Sequence, residues 1–327
     1  MPPEAPISAP AESSRIDLSI IIVSYNTREL LARCITSVVE NTAGISYRIY
    51  VVDNASSDGS AEMVRARYPE VILEKNRENL GFAQANSQVM GKIDSRYVVL
   101  LNSDTACPPG SRVLERMVGH LDAHPEIGAL GPRIVYPDGR IQLHCARSFP
   151  TLWTVFCMFS SLAQRFPNNR FTGGYLMSYW DHKTSREVDL LLGACMMVRE
   201  EVIEQVGPLD GQFFLGGEDV DWCRRIKDAG WKIYYLSDLT LEHEGGASKA
   251  LLPVHESTET HKAWFLYFRK HHGLAYAVAG RLITAGFLLF WVSFYSIRYA
   301  FTPGQREALA QTIKIRVELL TWCLSGR

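Results

Sequence analysis

The stretch Tyr97-Val-Val-Leu-Leu-Asn-Ser-Asp-Thr105 decides how the rest of the chain is interpreted. Its first five residues are β-prone and apolar, with no polar residue among them. Such a run is typical of a parallel strand that is buried on both faces. Open α/β sheets bind ligands at the carboxyl ends of their strands. Asp104 therefore has two interpretations: a carboxylate that faces a ligand site, or a cap for the turn before Pro108.

Strands and helices alternate on both sides of this stretch. Buried-strand patterns occupy residues 17–24 and 47–52, and an apolar stripe at helical spacing lies between them. Asn26 is expected to cap the intervening helix, with Glu29 in the capping-box position. This alternation with short joins predicts an α/β fold with a mostly parallel sheet flanked by helices. No GxGxxG sequence follows the first strand, which argues against a dinucleotide-binding domain.

Length and charge predict how the chain is organised. Its 327 residues accommodate one large domain and an appendage. The net charge of −1 gives no indication of a nucleic-acid partner. From residue 254 onward, however, nine Lys/Arg stand against four Asp/Glu. We therefore expect a disordered leader over residues 1–16, one large domain over 17–252, and a basic, apolar helical extension over 253–327.

The extension contains an apolar stretch, residues 274–297, that is interrupted by Arg281. Its uncharged part, 282–297, is about 24 Å long as a helix, against a hydrocarbon core of about 30 Å. The favoured interpretation is a helix that lies in or dips into the cytoplasmic leaflet, with Arg281 snorkelling to the interface. A membrane span and a soluble packing or dimer interface remain alternatives.

The cysteines and the N-terminus bear on the compartment. The seven cysteines are odd in number, scattered, and include no CxxC pair, so they indicate a reducing environment. Residues 1–15 are rich in Pro, Ala and Ser and contain no apolar signal-peptide region. We expect a cytoplasmic protein, peripheral to the inner face of the cell membrane.

Acidic residues stand at three predicted strand ends or helix starts: Asp53, Asp104, and the group Glu218, Asp219 and Asp221. Carboxylates in the first turn of a helix are favoured by about 0.3–1 kcal/mol, which explains one or two of the last group without a catalytic role. Asp219 is the candidate general base, because the helical spacing turns it toward the ligand edge of the sheet.

His243 precedes the flexible pair Gly245-Gly246. Alone it is as well explained by a structural role as by metal or diphosphate binding.

Seven short motifs follow one another along the chain. They are Val23-Ser-Tyr-Asn26, Val52-Asp-Asn-Ala-Ser-Ser-Asp-Gly-Ser60, Asn79-Leu-Gly-Phe-Ala83 with Asn86, Leu101-Asn-Ser-Asp104, Leu192-Gly-Ala194, Phe214-Leu with Glu218-Asp-Val-Asp-Trp222, and Glu242-His-Glu-Gly-Gly246. Together and in this order they resemble the family 2 inverting glycosyltransferases of GT-A fold, and within them the rhamnosyltransferase-like branch. The resemblance covers roughly residues 17–250.

The resemblance implies a role for each matching residue. Donor-binding positions are implied for Ser24, Tyr25, Asn26, Asp53, Asn79, Gly81, Phe82, Asn86, Asn102 and Ser103. Binding of Mg²⁺ or Mn²⁺ is implied for Asp104 and His243. Asp219 matches the catalytic base. Acceptor-side positions are implied for Gly193, Ala194, Glu218, Asp221 and Trp222. Asn102 stands where many relatives carry an acid, so this strand end supplies one carboxylate.

The implied reaction moves a sugar, rhamnose or another deoxysugar, from a dTDP- or UDP-linked donor to a hydroxyl of an acceptor, which is either a polysaccharide or a saccharide carried on a polyprenyl diphosphate. Two alternatives stay open. A sugar nucleotidyltransferase also uses an α/β sheet and a metal, although its Gly-rich loop is missing after the first strand. A catalytically inactive GT-A subunit of a membrane assembly would share the fold. A homo-oligomer is compatible with either function.

Overall fold

The computed structural model describes residues 15–214, 216–246 and 256–325. Residues 1–14 of the predicted leader, Leu215, and the predicted domain boundary at 252–253 lie outside these ranges. The strands are β1 Ile16–Ser24, β2 Tyr47–Asp53, β3 Ile72–Lys75, β4 Ser95–Asn102, β5 Thr105–Ala106, β6 Ile127–Val135, β7 Ala146–Arg147, β8 Arg186–Glu187, β9 Leu190–Leu191, β10 Cys195–Arg199 and β11 Lys232–His243. The helices are α1 Arg28–Asn41, α2 Ser60–Arg67, α3 Gly81–Met90, α4 Val113–Ala123, α5 Leu152–Phe159, α6 Leu162–Arg165, α7 Glu200–Val206, α8 Glu218–Asp228, α9 Glu256–His272, α10 Leu274–Phe301 and α11 Arg306–Ser325.

The main sheet has the order β3-β2-β1-β4-β10-β6-β11-β5, with β8 paired to β11. The first four strands in this order are parallel, and β6 is parallel to β11. β10 runs antiparallel between β4 and β6. Ile20–Ile22 of β1 and Tyr97–Leu101 of β4 are apolar and buried at consecutive positions, so both faces of these strands are covered. The predicted mostly parallel sheet flanked by helices is confirmed.

The strand registers bring the polar strand ends together. Ser24 is paired with Asp53, and Val23 is paired with Asn102, so β1, β2 and β4 end at one edge of the sheet. The chain leaves β1 toward β2 and β3 and later returns to β4 on the other side. The crevice between β1 and β4 is thus a topological switch point, where open α/β sheets bind ligands.

β11 forms the other flank of this edge. It is one strand with a register shift between Leu236 and Thr240. The shift carries the strand on to its end at His243, which pairs with Thr105 of β5. Because Thr105 follows closely after β4, this pairing places the end of β4 beside the end of β11.

The C-terminal extension is helical, as expected, and its first helix belongs to the core. Ala263, Trp264, Tyr267 and Phe268 of α9 are buried within the main hydrophobic cluster. α10 packs against α9, α5 and α11. It is 28 residues long, and it is the one helix of the described residues that is long and apolar enough to cross a membrane.

Arg281 does not have the snorkelling environment expected from the sequence. Its guanidinium lies over the rings of Phe265 and Trp322, 5.2 and 4.5 Å from their centroids, and donates to the Trp322 carbonyl. The charge is therefore held between α9 and α11 by aromatic faces.

Candidate active site

A cavity of about 490 Å³ opens at the edge where β1, β2 and β4 end. Its size is within the usual range for small-molecule sites. The sequence-predicted residues that line it are Tyr25, Asn79, Gly81, Phe82, Asn102, Ser103, Asp104, Gly193, Ala194, Glu218, Asp219 and His243. Those that do not line it are Ser24, Asn26, Asp53, Asn86, Asp221 and Trp222.

Asp104 and His243 meet in this cavity. The Asp104 Oδ1 atom lies 3.2 Å from His243 Nε2, and both side chains are largely buried. The Asn102 amide nitrogen is 3.3 Å from the same histidine nitrogen. The end of β4 and the end of β11 thus place one carboxylate and one imidazole together.

Gln142, which the sequence reasoning missed, fixes the orientation of His243. Its amide nitrogen donates to the His243 carbonyl at 2.6 Å, so its amide oxygen faces the imidazole Nδ1 at 2.8 Å. Because that oxygen only accepts, Nδ1 donates to it, and the other ring nitrogen, Nε2, faces Asp104 Oδ1. Two buried acceptors that face each other fit a cation between them.

The loops after β1 and β2 are joined by hydrogen bonds that involve their side chains. Asn26 has a positive φ of 51° and accepts hydrogen bonds from the Ser57 backbone N–H and hydroxyl at 2.7 and 3.3 Å. Its own N–H donates to the Ser56 hydroxyl. The prediction that Asn26 caps α1 is wrong: the N-cap position is Thr27, which makes no side-chain capping bond. The asparagine braces the loop instead.

Ser24 is fully buried and acts within the protein. Its hydroxyl is 3.0 Å from that of Thr27, which in turn is 2.9 Å from the hydroxyl of Ser103. This chain of hydroxyls joins the end of β1 to the turn after β4, and it positions Ser103 at the cavity wall. Ser24 is accordingly not at the position expected of a donor-contacting residue.

Asp53 is fully buried, and its Oδ1 atom has no hydrogen-bond partner among the described residues. Burial raises the pKa of this carboxyl, and hydrogen bonds from Ser56 offset the rise only in part. An unsatisfied buried carboxylate oxygen is costly unless a ligand or water completes it. The predicted contact of Asp53 with the donor nucleoside remains a prediction.

Asn54 shapes the turn that leads into α3. Its amide donates to the Asn79 side-chain oxygen at 2.7 Å, and its oxygen accepts from the Leu80 N–H at 3.1 Å. Gly81 has a φ of +76°, and a Cβ there would overlap the Phe214 carbonyl and ring. A glycine is therefore required on both counts. Asn86 is buried in α3 and donates to the Phe82 carbonyl, away from the cavity.

Asp219, the candidate base, lies in the first turn of α8 and forms a buried ion pair with Arg147. Arg147 Nη2 donates to Asp219 Oδ2 at 2.7 Å, and Nη1 donates to the Tyr175 hydroxyl at 2.8 Å. Burial alone would lower the pKa of Arg147, but interactions with Tyr175 and Asp219 raise it overall. Burial raises the pKa of Tyr175. Arg147 was not identified from the sequence.

Asp221 and Trp222 are not at the acceptor-side positions expected from the sequence. Asp221 is fully buried and bonded to Arg225, Lys270 and His271 at 2.8–2.9 Å. Trp222 is also fully buried, and its indole N–H donates to the Gly207 carbonyl. Helical geometry explains Asp221, because residues two positions apart on a helix face different directions. Trp222, three positions after Asp219, lies on a neighbouring side of α8, and its ring packs in the main hydrophobic cluster.

The extension contributes to the cavity as well. Thr260 and Trp264 of α9 line it, and the Trp264 ring meets the Tyr175 ring edge-on at 5.5 Å. Both residues stand far from the motifs in sequence, and an isolated Trp in a basic helix carries no signal of this role.

Comparison with known proteins identifies a family and related sequences. A family model described as glycosyl transferase family 2 matches residues 19–206. The N-acetylglucosaminyl-diphospho-decaprenol L-rhamnosyltransferase of Mycobacterium tuberculosis is 28% identical over 266 residues, covering 78% of this chain and 85% of the relative.

Two solved structures share the fold. The mannosyltransferase PcManGT from Pyrobaculum calidifontis, in complex with GDP-Man and Mn²⁺, has a TM-score of 0.54 at 15% identity and covers 98% of this chain and 90% of that one. GalNAc-T7 with UDP, GalNAc and Mn²⁺ has a TM-score of 0.50 at 16% identity, covering 71% of this chain and 44% of that one. The predicted GT-A-like fold is confirmed.

Proposed function

The chain belongs to glycosyl transferase family 2, and we propose that it moves rhamnose or another deoxysugar from a dTDP- or UDP-linked donor to a hydroxyl of a lipid-linked saccharide, with inversion. It is a glycosyltransferase, so the nucleotidyltransferase alternative is set aside. The mycobacterial relative, an N-acetylglucosaminyl-diphospho-decaprenol L-rhamnosyltransferase, supports the sugar and the type of acceptor.

One observation carries the proposal: a single cavity is lined by Asp219 and by the Asp104–His243 pair. A displacement at a sugar's anomeric carbon needs a base for the attacking hydroxyl and positive charge for the departing diphosphate. The cavity supplies a place for each on different elements, α8 for the base and the ends of β4 and β11 for the leaving group.

In the proposed reaction the acceptor hydroxyl forms a bond to the anomeric carbon while the bond from that carbon to the diphosphate breaks. Asp219 takes the hydroxyl proton, and the nucleoside diphosphate leaves with the bonding electrons. Arg147 holds the Asp219 carboxylate through Oδ2. No covalent sugar–enzyme intermediate forms, and the configuration inverts in one step.

Asp104 and His243 would hold a divalent cation, Mg²⁺ or Mn²⁺. The buried Oδ1 and Nε2 acceptors, 3.2 Å apart and oriented by Gln142, fit such an ion. When bound, it would supply positive charge to the diphosphate. Two protein ligands suit a cation that shares its remaining positions with phosphate oxygens and water.

We also propose that the extension lies on the cytoplasmic face of the cell membrane. α10 packs against three helices, as expected of a helix that lies on a surface and does not cross it alone. Its exposed face carries Leu274, Val278, Leu282, Leu289, Phe290, Phe294, Ile297 and Phe301. Arg298, Arg306 and Arg316, near this face, have no acidic partner among the described residues. Apolar and basic groups together suit an anionic lipid surface.

A screen of nucleotide sugars tests the proposed function. Thermal unfolding is measured with dTDP- and UDP-sugars, each with and without Mg²⁺ or Mn²⁺, and the best donor is then incubated with a lipid-linked acceptor. We expect stabilisation that needs the cation, and a product with the anomeric configuration opposite to the donor's. Retention of configuration, or donor binding without any transfer or hydrolysis, would contradict the proposal.

A further inference from the structure

A second cavity of about 420 Å³ adjoins the catalytic cavity. It is built from one stretch of chain, residues 144–179, between β6 and β8, and none of the sequence-predicted site residues lines it. The two cavities share His144, Met158 and Tyr175 as wall residues. The two cavities are therefore neighbours that meet at these three side chains.

The shared wall is linked to the candidate base. The Tyr175 hydroxyl accepts from Arg147, which donates to Asp219, so two side chains connect the second cavity with the carboxylate. A molecule that presents a hydroxyl to Asp219 extends from this point past Tyr175. The second cavity is thus on the acceptor side of the reaction.

Close packing fixes the turn that forms one wall of the second cavity. A Cβ on Gly173 would overlap the Pro167 carbonyl and the Ser178 hydroxyl, so the turn requires glycine. The Trp153 indole N–H donates to the Phe171 carbonyl at 2.8 Å and ties α5 to the same turn. These contacts hold the wall of the cavity in a defined shape.

The lining combines aromatic rings with one cation. Aromatic residues are Phe149, Trp153, Phe171, Tyr175 and Tyr179, and none of the residues that line the cavity is Asp or Glu. The Arg170 guanidinium lies over the Tyr179 ring, 5.3 Å from its centroid, and has no acidic partner within the described part of the chain. Aromatic faces pack on apolar faces of sugars and on isoprenoid chains, while a free guanidinium pairs with phosphate.

The cavity also borders the apolar side of the extension. Trp153 and Met158 of α5 are about half exposed. α5 in turn packs on α10, where the Phe156 and Phe287 rings meet at 5.3 Å and the Trp291 indole donates to the Phe159 carbonyl. A lipid chain that leaves the cavity over α5 arrives at the exposed apolar face of α10.

We propose that the second cavity binds the diphosphate-bearing end of a polyprenyl-linked acceptor, with Arg170 pairing to the diphosphate and the prenyl chain leaving over α5. This inference rests on the proposed function and specifies how the acceptor is held. It adds Arg170 and the 144–179 stretch to the residues that recognise substrate.

The test measures binding of farnesyl diphosphate to the full-length chain by calorimetry. Arg170→Gln is compared with Arg165→Gln, which removes a second exposed arginine that does not line the cavity. Losing a charge-assisted contact is expected to weaken binding about tenfold or more in Arg170→Gln, and not in Arg165→Gln. Inorganic pyrophosphate is expected to bind more weakly than farnesyl diphosphate, because it lacks the prenyl chain.

Equal affinities of the two variants, or no farnesyl diphosphate binding by the parent chain, would overturn the inference. Pyrophosphate binding as tightly as farnesyl diphosphate would overturn the prenyl contact. Donor hydrolysis, measured in the same variants, separates this result from the proposed function. Hydrolysis that persists in Arg170→Gln while farnesyl diphosphate binding falls supports both, whereas absent hydrolysis in every variant contradicts only the proposed function.

Discussion

The two walls of the catalytic cavity are assembled in different ways. The wall proposed to bind the donor, called the donor wall below, consists of the loops after β1, β2, β3 and β4, which end at one sheet edge because the strands are parallel and in register. The wall proposed to bind the acceptor, called the acceptor wall, joins residues far apart in the chain: Arg147 to Asp219, and Tyr175 to Trp264. The difference teaches that strand order positions the first wall, while long-range packing positions the second.

Replacing Asp219 by Asn gives the largest expected effect on the acceptor wall. The amide keeps the shape of the side chain but does not take a proton from the acceptor, so transfer is expected to fall by about 10²- to 10⁴-fold. Steady-state transfer with a saturating donor measures the change. Near-normal turnover would remove Asp219 as the base.

Arg147→Met tests the support of that base. Without the guanidinium the carboxylate is no longer held in place, and misplacement of a catalytic group costs about 10²-fold in turnover. We expect a lower kcat with donor KM unchanged, and partial recovery in Arg147→Lys, which keeps the charge. Tyr175→Phe, which preserves the ring but removes the acceptor of Arg147, is the milder control. An equal loss in the Lys and Met variants would contradict a charge-based role.

Gln142→Leu tests the cation site, where β4 and β11 meet. His243 loses the partner that fixes its Nδ1 proton, and such supporting contacts are worth about 10- to 100-fold in metal affinity. Donor affinity as a function of Mn²⁺ concentration is expected to shift to higher Mn²⁺ and to recover in excess. The exposed Gln84→Leu on α3 is the matched control, and a titration identical to it would argue against the assignment.

Asp221→Asn tests how firmly α8 is tied to α9. Burial alone would raise the pKa of Asp221, but hydrogen bonds from His271 and Lys270 and the charge of Arg225 lower it to about 2. A pKa below the unfolded value adds stability that is present above about pH 4 and is lost as the pH falls toward 2. From this shift we expect a loss of about 2 kcal/mol at pH 7.

Urea unfolding at pH 7 and near pH 3 measures this loss, which should shrink at the lower pH. Asp228→Asn on the same helix removes an exposed ion pair with Arg224 and should cost less than about 1 kcal/mol. If the two variants are equally stable at pH 7, the tie between α8 and α9 contributes nothing measurable.

The contrast between the two walls also explains which parts of the site the sequence predicts. The apolar run before Asn102 and the strand pattern before Asp53 predict parallel strands, and parallel strands bring their polar ends together. Asp104 and His243 are likewise adjacent in the structure, as expected for residues at the ends of β4 and β11. The cluster of acidic residues around Asp219 likewise predicts that a helix begins there.

No local sequence pattern predicts the positions of Arg147, Gln142 and Trp264 in the site. Each acts through a partner more than 70 residues away, or through a wall formed when separate segments pack. An arginine after an irregular stretch has many possible partners, and only packing selects one. Trp222 shows the converse: the resemblance implies an acceptor-side position, but the ring is fully buried and its indole N–H donates to the Gly207 carbonyl.

The claim that the donor and the acceptor are handled by separate walls is tested most directly by donor affinity in two variants. The Kd for the donor is measured with Mn²⁺ in Asp219→Asn and in Asp104→Ala. The account predicts an affinity equal to that of the parent chain in Asp219→Asn, and a loss of more than about tenfold in Asp104→Ala, because a ligand of the cation is removed. Unchanged affinity in Asp104→Ala, or a comparable loss in Asp219→Asn, would contradict it.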